Sequence, residues 1–165
     1  MTYRIYCETV IKTSCERCFD LSRSIDFHKI SMSKTNEVPV GGRLSGLIEL
    51  GEFVEWEATH LFIRQRLSSK ITEMVAPHYF VDVMVNGTFK SFRHRHEILK
   101  RKPGEVLMID DFRYEVPFGI LGRFANFLFL NKYMKGLIEA RSQHIETALE
   151  TDQWKEFISD SSTHN

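Results

Sequence analysis

The chain has 165 residues, with 22 basic and 22 acidic side chains that cancel to a formal net charge of zero. That length suits one domain with a sizeable core, and the balance excludes a general basic field for holding nucleic acid. No apolar run of roughly 18 residues is present, so no transmembrane segment is expected. Three cysteines, Cys7, Cys15 and Cys18, are too few for a disulfide framework and point to a reduced, cytoplasmic setting.

Residues 3–12 alternate as a first strand, with Tyr3, Ile5, Cys7 and Thr9 on one face and Tyr6 and Val10 on the other. Thr13 and Glu16 have capping-box spacing, and Phe19 and Leu21 begin to bury the helix that follows. Ser22 to Ser24 break it, and a second short helix is expected from Ile25 to Met32. Cys15-x-x-Cys18 lacks the βαβ surroundings of a redox pair and reads as two structural thiols.

Val38-Pro39-Val40-Gly41-Gly42 punctuates the chain, and an antiparallel meander follows. Val54, Trp56, Ala58 and His60 alternate with Glu55, Glu57 and Thr59. Ile63, Gln65, Leu67, Ser69 and Ile71 then alternate with Arg64, Arg66, Ser68, Lys70 and Thr72. A two-residue turn at Leu61-Phe62 sets Glu57 opposite Arg66 and Trp56 opposite Leu67. Charge then meets charge outside and apolar meets apolar inside. Pro77 ends that strand.

Asn86-Gly87 between two alternating runs is a hairpin signal. As a two-residue turn it pairs Val81 with Phe92 and Tyr79 with His94. It also sends Phe80, Met84 and Phe89 outward, as an apolar set suited to a homodimer contact. The strand from Thr88 to Lys100 carries Phe92, His94, His96 and Ile98 on one face. After Pro103-Gly104 a last strand returns. A bulge there puts Asp110 opposite His96, with Val106, Met108, Phe112 and Tyr114 on the same face; a plain turn puts Asp111 there instead. The first set is the more apolar, which favours Asp110.

From about Pro117 to Glu150 apolar residues recur at spacings of three, four and seven: Ile120, Leu121, Phe124, Phe127, Leu128, Met134, Leu137, Ile138, Ile145 and Ala148. A helix of roughly 30 residues spans roughly 45 Å, and mostly strand remains to cover it. The expected fold class is therefore α+β: a curved antiparallel sheet of about seven strands around one long C-terminal helix, with two short helices after the first strand. Residues 1–150 read as a single domain. Residues 151–165 read as a partly disordered tail that keeps Trp154, Phe157 and Ile158 but ends polar.

A long helix and a curved sheet leave a gap that is either a pocket or filled by large side chains. The expected lining is Trp56, His60, Leu67, Tyr79, Phe92, His94, His96, Asp110, Phe112 and Tyr114 from the strands, with Phe124 from the helix. His94-x-His96 places two rings on one face, roughly 6.5–7 Å apart at the Cα atoms. With His60 they form a three-nitrogen set of the kind zinc takes. The pairing of His60 to the other two is open, so no metal and no cofactor is assigned. A His–Asp pair in an apolar pocket suits acid–base chemistry, with His94, His96 and Asp110 as its candidates; no nucleophile accompanies them. The simplest reading is that these polar groups satisfy one another and anchor one end of a largely apolar ligand.

The order of elements and much of the local wording resemble the START-like, or SRPBCC, superfamily (birch-pollen-allergen-like, polyketide cyclase/lipid-transport), in its bacterial ligand-binding branch. The stretches that carry the resemblance are Gly46-Leu47-Ile48-Glu49-Leu50-Gly51-Glu52, Val54-Glu55-Trp56-Glu57-Ala58-Thr59-His60, Phe80-Val81-Asp82-Val83-Met84, Gly87-Thr88-Phe89-Lys90-Ser91-Phe92, His94-Arg95-His96, Met108-Ile109-Asp110 and Tyr114 to Gly122. The resemblance implies a helix-grip fold with an internal cavity for a small hydrophobic molecule such as a lipid, polyketide or quinone. Two alternatives accompany that expectation. One is a cyclase- or hydratase-type enzyme using the His–Asp pair; the other is a protein-interaction module with a filled cavity.

Overall fold

Alternating apolar and polar residues build one antiparallel sheet of seven strands: β1 (Thr2–Ile11), β2 (Val38–Gly42), β3 (Phe53–His60), β4 (Ile63–Val75), β5 (Tyr79–Asn86), β6 (Ser91–Lys102) and β7 (Glu105–Glu115). The computed structural model describes residues 1–159; the expected disorder at the polar end of the tail falls on 160–165, outside the described residues. The sheet order is β1-β7-β6-β5-β4-β3-β2. Two short helices, α1 (Cys15–Ser22) and α2 (Ile25–Ser31), connect β1 to β2. The α1 cap is Ser14, one residue later than the capping-box spacing suggests; its hydroxyl accepts from the Arg17 N–H at 3.2 Å. Ser24 caps α2 in the same way through Phe27 at 3.2 Å.

The curved sheet grips a long C-terminal helix, as expected. It comprises α3 (Gly119–Ala125), a π-helical segment (Asn126–Leu130) and α4 (Asn131–Glu150). Backbone at both joints, Asn126 and Asn131, stays right-handed helical, so the three pieces form one continuous rod. Val38–Gly42 is an edge strand rather than mere punctuation. Proline lacks an N–H and is tolerated there, where one side of the strand is unpaired, and the register shifts between Pro39 and Gly41.

Two of the three sequence-derived registers hold. Trp56 lies opposite Leu67 and Glu57 opposite Arg66, and Glu57 accepts from both Arg64 and Arg66 at 3.0 Å. The β6–β7 ladder shifts between Lys100 and Lys102, which sets Asp110 opposite His96. Asp111 then faces outward, clasped by Arg4 at 2.7 Å and Arg113 at 2.9 Å.

The β5–β6 register differs. Tyr79 pairs with Glu97, Phe80 with His96 and Asp82 with His94, and the loop runs from Gly87 to Lys90. The reason is Phe89. A tight Asn-Gly turn leaves it in solvent, whereas the longer loop seats it against Phe92, Phe112 and Tyr114, at ring-centroid distances of 6.3, 6.2 and 5.4 Å. Burying a phenylalanine is worth about 1.5–3 kcal/mol, more than one turn type's preference. Phe80 is buried, and Met84 and Phe89 pack against the apolar core, so these three do not form the expected outward homodimer patch. Tyr79 moves to the convex face, under the Arg95 guanidinium at 3.7 Å.

The larger core cluster joins α1, α2 and the C-terminal half of α4 to the sheet through Phe19, Ile98, Met108 and Ile145. Trp154 and Ile158, beyond Glu150, are buried in the same cluster, carried by a 3-10 turn at Gln153–Glu156.

Candidate functional site

Beside the larger core cluster, which supplies Ile25, Ile48, Trp56 and Phe80 to the lining, sheet and helix part around a cavity of about 500 Å³. Its walls include Trp56, His60, Leu67, Phe92, His94, His96 and Phe112 from the expected set. Four expected residues do not line it. Tyr79 stands on the convex face, as the β5 register requires. Tyr114 is buried behind the wall, where its hydroxyl donates to Asn126 Oδ1 at 2.6 Å and accepts from Asn131 Nδ2 at 3.1 Å. Phe124 is 59% exposed. Asp110, fully buried, sits beneath the two histidines rather than on the surface of the cavity.

Phe124 turns away because small residues face inward instead. A Cβ on Gly122 would lie 1.8 Å from the Pro117 carbonyl oxygen, so only glycine permits the helix to start so close to the strand that feeds it. Gly122, Ala125 and Phe129 then follow one another along the cavity side. The stripe Ile120, Leu121, Phe124, Phe127 and Leu128 is left in solvent.

The polar floor is a closed network. Asp110 Oδ1 accepts from His94 Nε2 at 2.9 Å and lies 3.0 Å from His96 Nδ1. His96 Nε2 donates to Asp82 Oδ1 at 3.1 Å. Arg141 Nη1 is 3.6 Å from Asp110, its Nη2 donates to the Ser22 carbonyl at 2.7 Å, and Ser142 donates to Asp110 Oδ2 at 3.1 Å. Phe80 stacks on His96 with ring centroids 4.3 Å apart.

Burial alone would raise the Asp110 pKa, but hydrogen bonds from His94 and His96 hold it well below the usual carboxylate range. Asp82 is lowered likewise, its burial outweighed by the His96 hydrogen bond and the nearby histidine charges. Burial pushes His94 down, helped by the charge of His96 and opposed by Asp110. His96 is also penalised by burial, yet its hydrogen bonds to Asp110 and Asp82 raise it overall. An imidazole between two ionised carboxylates must donate from both nitrogens. The floor therefore holds two anions, Asp82 and Asp110, and two cations, His96 and Arg141, beside a neutral His94. With Nε2–H given to Asp110, His94 Nδ1 is an acceptor.

A second polar cluster lies near the helix. Glu37 is buried; it is 2.7 Å from His28 Nε2 and accepts from Thr35 at 3.1 Å. Burial pushes Glu37 up, but the hydrogen bond and charge of His28, with His60, bring it below its ordinary value. His60 Nδ1 is 3.0 Å from the Tyr133 hydroxyl, and burial lowers its pKa against the pull of Glu37. His60 thus belongs to a different cluster from His94 and His96, and the three-nitrogen set does not assemble. Asp82, His94 and His96 do each offer an atom within 4.8 Å of the others. Both His96 nitrogens are already committed to carboxylates, however. Elsewhere, burial drives the Cys18 thiol up to about 12 and raises Cys15 as well, the opposite of a reactive CxxC pair.

Sequence reasoning missed Asp82, Arg141, Glu37, His28 and Tyr133 as site residues. Arg141 and Ser142 were findable. They sit between Ile138 and Ile145 at core spacing, and all four are buried. Asp82 was hidden by the misplaced β5 register.

No protein-family profile matches the chain, and no curated protein matches it. Solved structures do. A protein from Thermus thermophilus superposes with TM-score 0.73 at 15% identity, over 90% of this chain and 97% of that one. A START superfamily protein from Mycobacterium smegmatis gives 0.67 at 11%, over 89% and 97%. Norcoclaurine synthase from Thalictrum flavum, in complex with dopamine and hydroxybenzaldehyde, gives 0.67 at 11%, over 97% and 90%. Architecture is what such identities share, and the chain has the START-like helix-grip fold.

Proposed function

We propose that the cavity binds one small, largely apolar organic molecule by its aromatic and aliphatic walls and takes a polar end of it against His94 and Arg141. The observation that carries this reading is an apolar-walled space of about 500 Å³ with a charge-balanced floor. That volume falls within the span of small-molecule pockets. A floor of zero net charge favours a neutral polar end, such as a carbonyl or hydroxyl, over a free ion. Lipids, polyketides and quinones fit that description. The helix-grip enzyme from Thalictrum flavum, held with two small aromatic molecules, supports the class of ligand.

A second reading has its own observation: neutral His94 and cationic His96 stand with ring centroids 3.8 Å apart, a base beside an acid. That arrangement suits a cyclase or hydratase step. The two readings separate experimentally. Native mass spectrometry of protein purified from its own cell should find a co-purified molecule. For a binder, Phe112→Ala should weaken its affinity by about 1–3 kcal/mol, and His94→Gln by about 1 kcal/mol, one hydrogen bond. For an enzyme, His94→Gln should leave affinity nearly intact and reduce conversion roughly a hundredfold or more. Protein that retains no molecule and a cavity that no apolar dye enters would remove both readings in favour of an interaction module.

A further inference from the structure

The two elements that flank the cavity mouth, the β3–β4 turn and the first half of the long helix, carry more bare apolar surface than the fold requires. Phe62 is 102% exposed, Phe127 84%, Phe118 81% and Ile120 79%. Leu121 and Phe124 are exposed beside them. All come from two neighbouring places, the β3–β4 turn and the first half of the long helix, which meet where His60 contacts Tyr133. Leu61, Ile63, Phe118 and Phe129 are exposed and also line the cavity, so rim and interior form one continuous apolar surface. Contiguous exposure on this scale marks an interaction site.

Backbone conformation points the same way. Among the described residues, Leu61, Phe62 and Phe118 have positive φ, at 52°, 67° and 64°; Asn36 is the other non-glycine to do so. Glycine adopts that region freely, whereas bulky side chains are strained there. Phe62 and Phe118 gain almost nothing from burial that would offset the strain. The fold by itself would be better served by glycine at Phe62, and strain of this sort collects at working surfaces.

Charge selects the occupant. Between Val116 and Ile138 there is no Asp or Glu, while Arg123, Lys132 and Lys135 are basic. Lys135 is 3.6 Å from Glu139; Arg123 and Lys132 are exposed and make no ion pair among the described residues. The convex face is different, since Arg64, Arg66 and Arg93 there are matched by Glu57 and Glu73. A second copy of the chain would bring the same positive helix to the patch, and like charges would oppose it. A bilayer rich in anionic phospholipid complements both the apolar residues and the charges. We propose that the cavity rim docks on an anionic lipid bilayer, with Phe62 and Phe118 in the interfacial layer and Arg123 and Lys132 against the phosphates. Docking does not depend on what the cavity holds.

The test is flotation of the full chain with vesicles of phosphatidylcholine alone and of phosphatidylcholine mixed with phosphatidylglycerol. Wild type should float with the mixed vesicles and lose about tenfold in partition without the anionic lipid or in high salt. Phe62→Gly, which suits the left-handed backbone and should keep the fold, combined with Phe127→Ser, should lower partition about tenfold or more. Arg123→Glu with Lys132→Glu should erase the preference for anionic vesicles. Wild type that floats with neither vesicle, or variants that float as wild type does, would overturn the proposal. So would a dimer by light scattering that Phe62→Gly and Phe127→Ser dissociate while no vesicle is bound; the patch would then belong to a second copy. Dye titration of the cavity in the same variants reports on the ligand reading separately.

Discussion

Asp110 is the residue on which the interior electrostatics turn. Its folded pKa lies below the unfolded value, so the stability it contributes is present above about pH 4 and is lost as pH falls through the folded value. His94 is depressed too; its contribution is present above about pH 6.5 and is lost as acid protonates it in place. His96 is raised; its contribution is full below about pH 6.5 and fades as pH climbs through the higher folded value. Melting temperature should therefore decline on the acid side through His94, then Asp110, and decline mildly on the alkaline side through His96. Asp110→Asn leaves His96 and Arg141 short of an anion. It should cost about 3–5 kcal/mol near neutral pH and flatten the acid limb. Thermal melts of both proteins across pH check this; an acid limb as steep in the variant as in wild type would place its source elsewhere. His94, His96 and Asp110 could be brought together from sequence because strand alternation has a period of two and a bulge at one turn decides the facing residue. Arg141 eluded the same reasoning because an arginine on an amphipathic helix is normally assigned to water.

At the scale of elements, the π segment explains the main departure from the sequence reading. A wheel drawn at 3.6 residues per turn assumes every turn is alike, and one wider turn rotates all that precedes it relative to all that follows. That assumption puts Phe124 and its neighbours inward; they face water. Asn126 and Asn131 are five apart, the spacing that a π turn brings onto one side, and both hold the Tyr114 hydroxyl. Tyr114→Phe strips both partners and leaves the buried Asn126 amide unsatisfied. It should lower stability by about 1–3 kcal/mol, read as a shift in urea midpoint without a change in slope. No shift would mean that the wide turn is held by packing alone. The other departure, the loop after Asn86, has a similar cause. Short-range turn preferences are small, and a phenylalanine three residues along was able to overrule them.

For the whole molecule, the order of elements was legible because each carries its own period and the long helix demands a long cover. The end of the folded unit was less so. Trp154 reads as part of a partly disordered tail, yet it is buried with Phe19 and Ile145. Trp154→Ala should cost about 3–5 kcal/mol, measured by denaturant titration; a change near zero would return residues past Glu150 to the status of a tail.

One further property follows from the strand at the far edge of the sheet. A sheet that wraps a helix without closing has two free margins, and a free margin invites another chain to add a strand. Here β1 packs against α4. The opposite margin is the short β2, where Pro39 withholds an amide and the ladder slips a residue beside it. The β2 border is too short to serve as a template, and the longer β1 border has α4 packed along it. At high concentration this protein should therefore resist fibril growth by strand addition, and such self-association as occurs should involve side-chain faces rather than backbone.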